Sequence, residues 1–205
     1  MTDETLEHAI NDMIGGAAIC FLGAGFSLGA EDSDGRPVPR ATDLCREIFE
    51  ITDMQYDPDV SLKDIAEYCD NNELWKQGLK DLLTRRLTLC KPQNFHVNIL
   101  RMPWRSVFTT NFDDVAENAL KEQNPIVVTP VFDVKHLEPK TMPLYYLHGR
   151  ALDILRGAAD PNIVLTDSNY LTLREKNHDL FSALENEVYA ARRIFLLVIL
   201  FKMQK

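Results

Sequence analysis

The sequence has no Cys-x-x-Cys pair. None of its four cysteines, at positions 20, 45, 69 and 90, stands near a histidine at metal-ligand spacing. A structural zinc site is therefore not expected. The scattered cysteines read instead as reduced, mostly buried thiols of a cytoplasmic protein. Positive charge is in deficit: 22 Lys and Arg against 31 Asp and Glu give a net charge of −9. A broad nucleic-acid footprint needs a basic face, so direct nucleic-acid binding is not expected, although one local basic pocket is compatible with this balance. Long apolar runs are missing too. The longest, Ile194 to Phe201, is too short to span a bilayer, and no membrane association is expected. The opening Met-Thr-Asp-Glu-Thr is acidic, unlike a secretory leader. There is no internal repeat and no low-complexity segment.

What is present is ordinary globular material. Hydrophobic residues make up 45% and charged residues 26% of 205 positions, enough for one domain (1–205) with a sizeable core. The chain is organised around Ile19-Cys-Phe-Leu-Gly-Ala-Gly-Phe-Ser-Leu-Gly29. Apolar residues running into Gly23, Ala24, Gly25 and Ser27 read as a buried strand that breaks into a glycine turn. Such a turn lets a phosphate approach the backbone, and a following helix would face it with free N–H groups. The third glycine of the dinucleotide fingerprint is absent. A tight turn with no ligand fits the same letters. So does a nucleophile elbow, since Gly25-Phe-Ser27-Leu-Gly29 matches Gly-x-Ser-x-Gly. That reading ranks lower, because only one helix and one strand precede it and Gly15-Gly16 makes a poor oxyanion loop.

Along the chain, periodicity and stop signals predict a helix over 2–14, with Leu6, Ile10 and Met13 on one face, and a strand over 17–22. A polar, proline-bearing loop occupies 31–39. Residues 41–92 read as an all-helical layer, with a capping box at Ser61-x-x-Asp64 and a long helix from about Asn72 to Leu89. A short helix at 95–100 precedes a strand at 105–110 and a helix at 115–121. Strands are expected at 126–129, 144–147, 163–166 and 193–200, and a helix at 177–192. The last strand is apolar throughout, as if buried on both faces. Strands alternating with helices imply a Rossmann-like α/β fold: a mostly parallel sheet, helices on both faces and a helical insertion. Only a few residues follow position 200, so the fold is expected to be C-terminally incomplete.

Polar residues collect just past three of these strands: Gly23/Gly25/Ser27, Asn111/Asp113, and His148. In open parallel sheets ligands bind at that edge. Each residue also has a plain reading. Asn111 or Asp113 can cap the next helix, and a lone histidine at a strand end is usually structural. As a set, Gly23-Ala-Gly25-x-Ser27, Thr109-Thr-Asn111-Phe-Asp113 and Leu147-His148-Gly149 resemble the sirtuin-like NAD-consuming fold, in particular its bacterial antiphage-defence branch. Pro103-Trp-Arg-Ser-Val-Phe, the loop 35–40 and Val164-Leu-Thr-Asp-Ser-Asn-Tyr170 extend the resemblance over residues 19 to about 170.

The resemblance implies an NAD hydrolase that consumes NAD as its substrate. Asn111 would hold the attacking water or the ribose hydroxyls, and His148 would be the general base. Asp113 would orient ribose or nicotinamide. Gly23, Ala24, Gly25, Ser27 and Thr110 would line the cofactor site. Two departures stand out. The zinc module of deacetylating sirtuins is missing, which argues against deacetylation. The late apolar strand also lacks the Gly-Tyr-Ser-type turn that contacts the adenosine side. The apolar run 194–200 is expected to be covered by self-association into a homo-oligomer or by a partner, and the resemblance implies partners such as a short argonaute or a translocase-type ATPase. The competing functions are a degenerate NAD- or ADP-ribose-binding or partner-docking module, and a serine hydrolase using Ser27.

Overall fold

The computed structural model describes residues 3–131, 142–158 and 160–197. Helix α1 (Asp3–Ile14) leads through Gly15-Gly16 into strand β1 (Ala18–Leu22), and a single 3-10 turn follows at Ala24–Ser27. No α-helix starts there. The next one, α2 (Ala41–Ile51), begins after the proline-bearing loop. Helices α3 (Leu62–Asp70) and α4 (Glu73–Leu87) complete the expected helical layer, and the expected short helix α5 (Asn94–Leu100) follows it. Strand β2 (Ser106–Thr109), α6 (Val115–Ala119), β3 (Ile126–Val128), β4 (Pro143–Tyr146), α7 (Ala151–Leu155), α8 (Asp167–Lys176), α9 (His178–Ala190) and β5 (Arg193–Leu197) follow in order.

All the strand pairs are parallel, in the order β3-β4-β2-β1-β5. Side chains alternate between the two faces, as a pleated strand requires. Cys20, Leu22, Val107, Leu144 and Tyr146 point into one core with the buried faces of α2 to α7. Ile19, Phe108, Tyr145 and Leu147 point into a second, smaller core with Leu180, Ala183 and Leu184 of α9. The chain moves from β1 to β2, β3 and β4 on one side, then crosses to β5 on the other. The topological switch point therefore falls at β1, and the glycine turn hangs from its C-terminal end.

Local chemistry sets the helix starts. Ser61 caps α3: its hydroxyl accepts from Asp64 N–H, and the Asp64 carboxylate accepts from Ser61 N–H at 3.1 Å. Asn72 caps α4 by accepting from Leu74 N–H. The loop between the glycine turn and α2 is pinned by a buried ion network. Asp32 accepts from the N–H groups of Asp34 and Arg36 and pairs with Arg86, which also holds Glu47 and the Pro37 carbonyl.

Four expectations change. Residues 163–166 form no strand. They run as extended coil with one ladder-like bond, Val164 N–H to the His148 carbonyl at 2.9 Å. β5 is not buried on both faces. Among the described residues it is an edge strand, and Ile194 and Leu196 are 49% and 66% exposed. They share a face with Ile19 and Phe21 but do not join the core those residues form with α9. The expected continuation of this strand to 200, and the tail 201–205, fall outside the described residues. On α1 only Met13 of the expected apolar face packs on the core, while Leu6 and Ile10 stay exposed. Finally, α7 and α8 are additional helices.

Candidate functional site

Three strand ends meet around one open cavity of about 400 Å³ at the C-terminal edge of the sheet, a volume typical of small-ligand sites. Ala24, Gly25 and Ser27 come from the turn after β1, Thr110, Asn111 and Asp113 from the loop after β2, and His148 from the loop after β4. Gly23 does not line the cavity. It donates its N–H to the Leu197 carbonyl and extends the β1–β5 ladder. Arg40 and Ala41 bring the N-terminal end of α2 to the same cavity. No α-helix follows the glycine turn directly, and the helix terminus at the cavity is that of α2, starting at Ala41. Phe112, Leu62 and Tyr170 complete the wall used below.

The centre of the site is a buried relay. Ser27 Oγ donates to Asp113 Oδ2 at 2.7 Å, and Asn111 Nδ2 donates to Ser27 Oγ at 2.9 Å. A hydroxyl has one proton to give. With Asp113 ionised, that proton goes to the carboxylate, so the serine oxygen accepts from the Asn111 amide nitrogen. The Asn111 carbonyl oxygen is thereby left to accept from a ligand hydroxyl or a water. The asparagine backbone is fixed as well, its N–H donating to Thr109 Oγ1 at 3.0 Å.

Asp113 is held on every side. Its second oxygen accepts from Val115 N–H at 3.1 Å, which is the helix-capping role open to it, and its backbone carbonyl accepts from Tyr146 Oη. Burial is the dominant influence on its carboxyl and pushes it up to about 6, against the pull of the Ser27 and Val115 hydrogen bonds. Asp114, also buried, holds the loop from below by accepting from Leu89 and Cys90 N–H. His96 secures the glycine turn. It is fully buried, its Nδ1 accepts from Gln93 N–H, and its Nε2 therefore donates to the Phe26 carbonyl at 2.7 Å. Burial holds this imidazole below its ordinary value, so it is a neutral strut.

His148 is half-buried and makes no side-chain hydrogen bond among the described residues. Burial first, then the nearby Lys63 charge, holds its imidazole below the ordinary value. That leaves a neutral ring at neutral pH, able to take a proton. Its loop is clamped through the next residue. Gly149 has φ +78°, and a Cβ there would stand 2.5 Å from the Asn162 carbonyl oxygen, so only glycine fits. Arg150 then ties the loop down through buried pairs with Asp153 and Glu117.

Sequence reasoning missed Arg40, Tyr170 and His96 as contributors. The loop 35–40 and the segment 164–170 carried a signal in their likeness to family sequence, but nothing in it singled out these side chains. Burial pushes the Cys20 thiol up to about 12 and that of Cys69 to about 11. All four cysteines are buried and unpaired. Among the described residues no cluster of three metal-ligating side chains gathers, and no helix is long and apolar enough to cross a membrane.

Residues 105–198 match the family described as the SIR2-like domain. The matched span, a little under half of the chain, runs from the start of β2 into the end of β5 and contains Asn111, Asp113 and His148; the glycine turn lies before it. This part of the chain is similar to a sirtuin-like domain, a family associated with NAD. No curated protein matches the chain.

Proposed function

Proceeding from that SIR2-like segment, we propose that the chain is an NAD glycohydrolase, converting NAD and water to nicotinamide, ADP-ribose and a proton. The observation that carries this reading is the Asn111–Ser27–Asp113 relay opening onto the same cavity as His148. Cleavage of the nicotinamide–ribose bond develops oxocarbenium character at the ribose carbon, as in glycoside hydrolysis. The leaving group departs neutral, so no strong general acid is needed. The reaction needs an oriented water, a base and a dry pocket. In this reading the Asn111 carbonyl oxygen holds the water or a ribose hydroxyl, and neutral His148 accepts the proton the water loses. Asp113 acts through Ser27, fixing which way the Asn111 amide faces. The turn at Ala24–Ser27, Thr110, the end of α2 and Arg40 receive the pyrophosphate, by open backbone, helix terminus and opposite charge.

By the sirtuin-like resemblance, the hydrolysis serves abortive antiphage defence, in a homo-oligomer or with a partner protein, in the cytoplasm. Two other functions are weaker. Among the described residues Ser27 has a carboxylate and an amide as its partners and no imidazole, which speaks against a serine hydrolase. A binding module remains the working alternative, and one experiment separates it. Incubated with NAD, a hydrolase releases nicotinamide over many turnovers. A binding module gives a calorimetric titration with NAD or ADP-ribose and no nicotinamide.

A further inference from the structure

We propose that Tyr170 is a positioning residue for His148, and that Lys63, reaching over from the helical layer, locks Tyr170 in place. This rests on the reading of His148 as the base of the site. A catalytic imidazole is usually oriented by a hydrogen bond to its second nitrogen. His148 has none among the described residues, so aromatic contacts must orient it. Phe112 lies on one side at a centroid distance of 6.4 Å. Tyr170 meets it edge to face at 5.3 Å and 82°, within the range of favourable aromatic pairs.

Tyr170 is in turn held from α3. The Lys63 ammonium stands 4.2 Å from the centre of its ring, inside cation–π range. The same ammonium pairs with Asp167 at 3.0 Å. One turn further along α3, the Glu67 carboxylate accepts from Ser168 N–H and Oγ. These contacts fasten the first turn of α8 to α3. Residues 101 and 104 positions apart are thereby joined directly over the histidine. Leu62 and Tyr170, on the two joined turns, both line the cavity. The charge acting on the imidazole is Lys63 from α3; Asp167 from α8 faces that ammonium, and Asp113, from the loop after β2, lines the same cavity.

The junction has two consequences. It fixes the ring plane of His148 before any ligand arrives, which is worth rate because misplacement by about 1 Å can cost up to about 10²-fold. It also keeps a positive charge near the imidazole, which favours the neutral, proton-accepting form. Tyr170→Ala is expected to lower kcat by about tenfold or more with a smaller effect on KM. Tyr170→Phe, which keeps the ring, is expected to restore most of the rate.

The deciding measurement needs no turnover. The His148 ring signal is titrated by NMR in the NAD-free protein, assigned by its loss in His148→Gln. The parent should titrate below an ordinary histidine. Lys63→Met should move the midpoint up by removing the charge, and Tyr170→Ala should move it up by opening the ring to water. Tyr170→Phe should keep the parent value. Midpoints in Lys63→Met and Tyr170→Ala equal to the parent's would overturn the proposal, as would a Tyr170→Phe variant that behaves like Tyr170→Ala. Shifted midpoints in a protein that releases no nicotinamide would leave the positioning intact and remove the hydrolase reading instead.

Discussion

Asp113 and Gly149 show how much of this site is decided by single residues. Burial pushes the Asp113 carboxyl up to about 6, against about 3.9 in an unfolded chain. The folded protein thus binds this proton more tightly. The stability linked to it is complete below the unfolded value and is lost as pH rises through about 6. Two units correspond to roughly 3 kcal/mol at most. Asp113→Asn keeps an acceptor and removes the titration. Relative to the parent, it should gain up to about 3 kcal/mol between pH 4 and pH 7.5 in denaturant unfolding; a difference that does not change with pH would contradict the buried carboxylate. Gly149 is fixed by φ +78° and by the Asn162 carbonyl. Gly149→Ala should cost more than about 1 kcal/mol and displace His148, so activity should fall along with the melting temperature. Ser27, Asn111, Asp113 and His148 were all legible as polar punctuation at strand ends. The relay joining the first three was not, because it spans 84 to 86 residues of sequence. Tyr170, Arg40 and His96 were hidden for the same reason: their roles arise from what the fold sets beside them.

Elements with a strong local signature matched their expected positions, and elements defined by context did not. β1 is a continuous apolar run, β2 is Ser-Val-Phe-Thr with all four residues buried, and both are central strands. The Ser61-x-x-Asp64 box was visible as letters and starts α3 as expected. Ser61→Ala should lower stability by about 1 kcal/mol, read as a reduced urea midpoint at unchanged slope; no change would mean that α3 is held by tertiary packing alone. α8, in contrast, has little amphipathic pattern and only Leu173 is buried. It is held by its Thr166 cap and by the charged junction with α3. β5 carries the same apolar letters as a central strand, but composition does not say which strand sits at an edge. Since Ile194 and Leu196 are mostly exposed, Ile194→Lys and Leu196→Lys should each change stability by no more than about 0.5 kcal/mol. A loss of several kcal/mol in equilibrium unfolding would restore the doubly buried strand.

At the scale of the whole molecule, the alternation of strands and helices already implied a parallel α/β sheet, and the described residues form five parallel strands with helices on both faces. The strand order could not be read from the sequence. Right-handed crossovers permit several arrangements, of which β3-β4-β2-β1-β5 is the one formed. That order matters most for function, because it puts β1 at the switch point and brings the ends of β1, β2 and β4 to one cavity. The central claim is that Asn111 and His148, from different strands, serve one event: the capture of a ribosyl cation by water. The most direct measurement is nicotinamide release from NAD by the parent, Asn111→Ala, His148→Ala and the double variant, each checked for native folding. Each single change should reduce turnover by about 10²-fold or more. The double variant should lose less than the product of the two, because residues acting as a unit are not additive. Single variants that release nicotinamide at the parent's rate would contradict the claim.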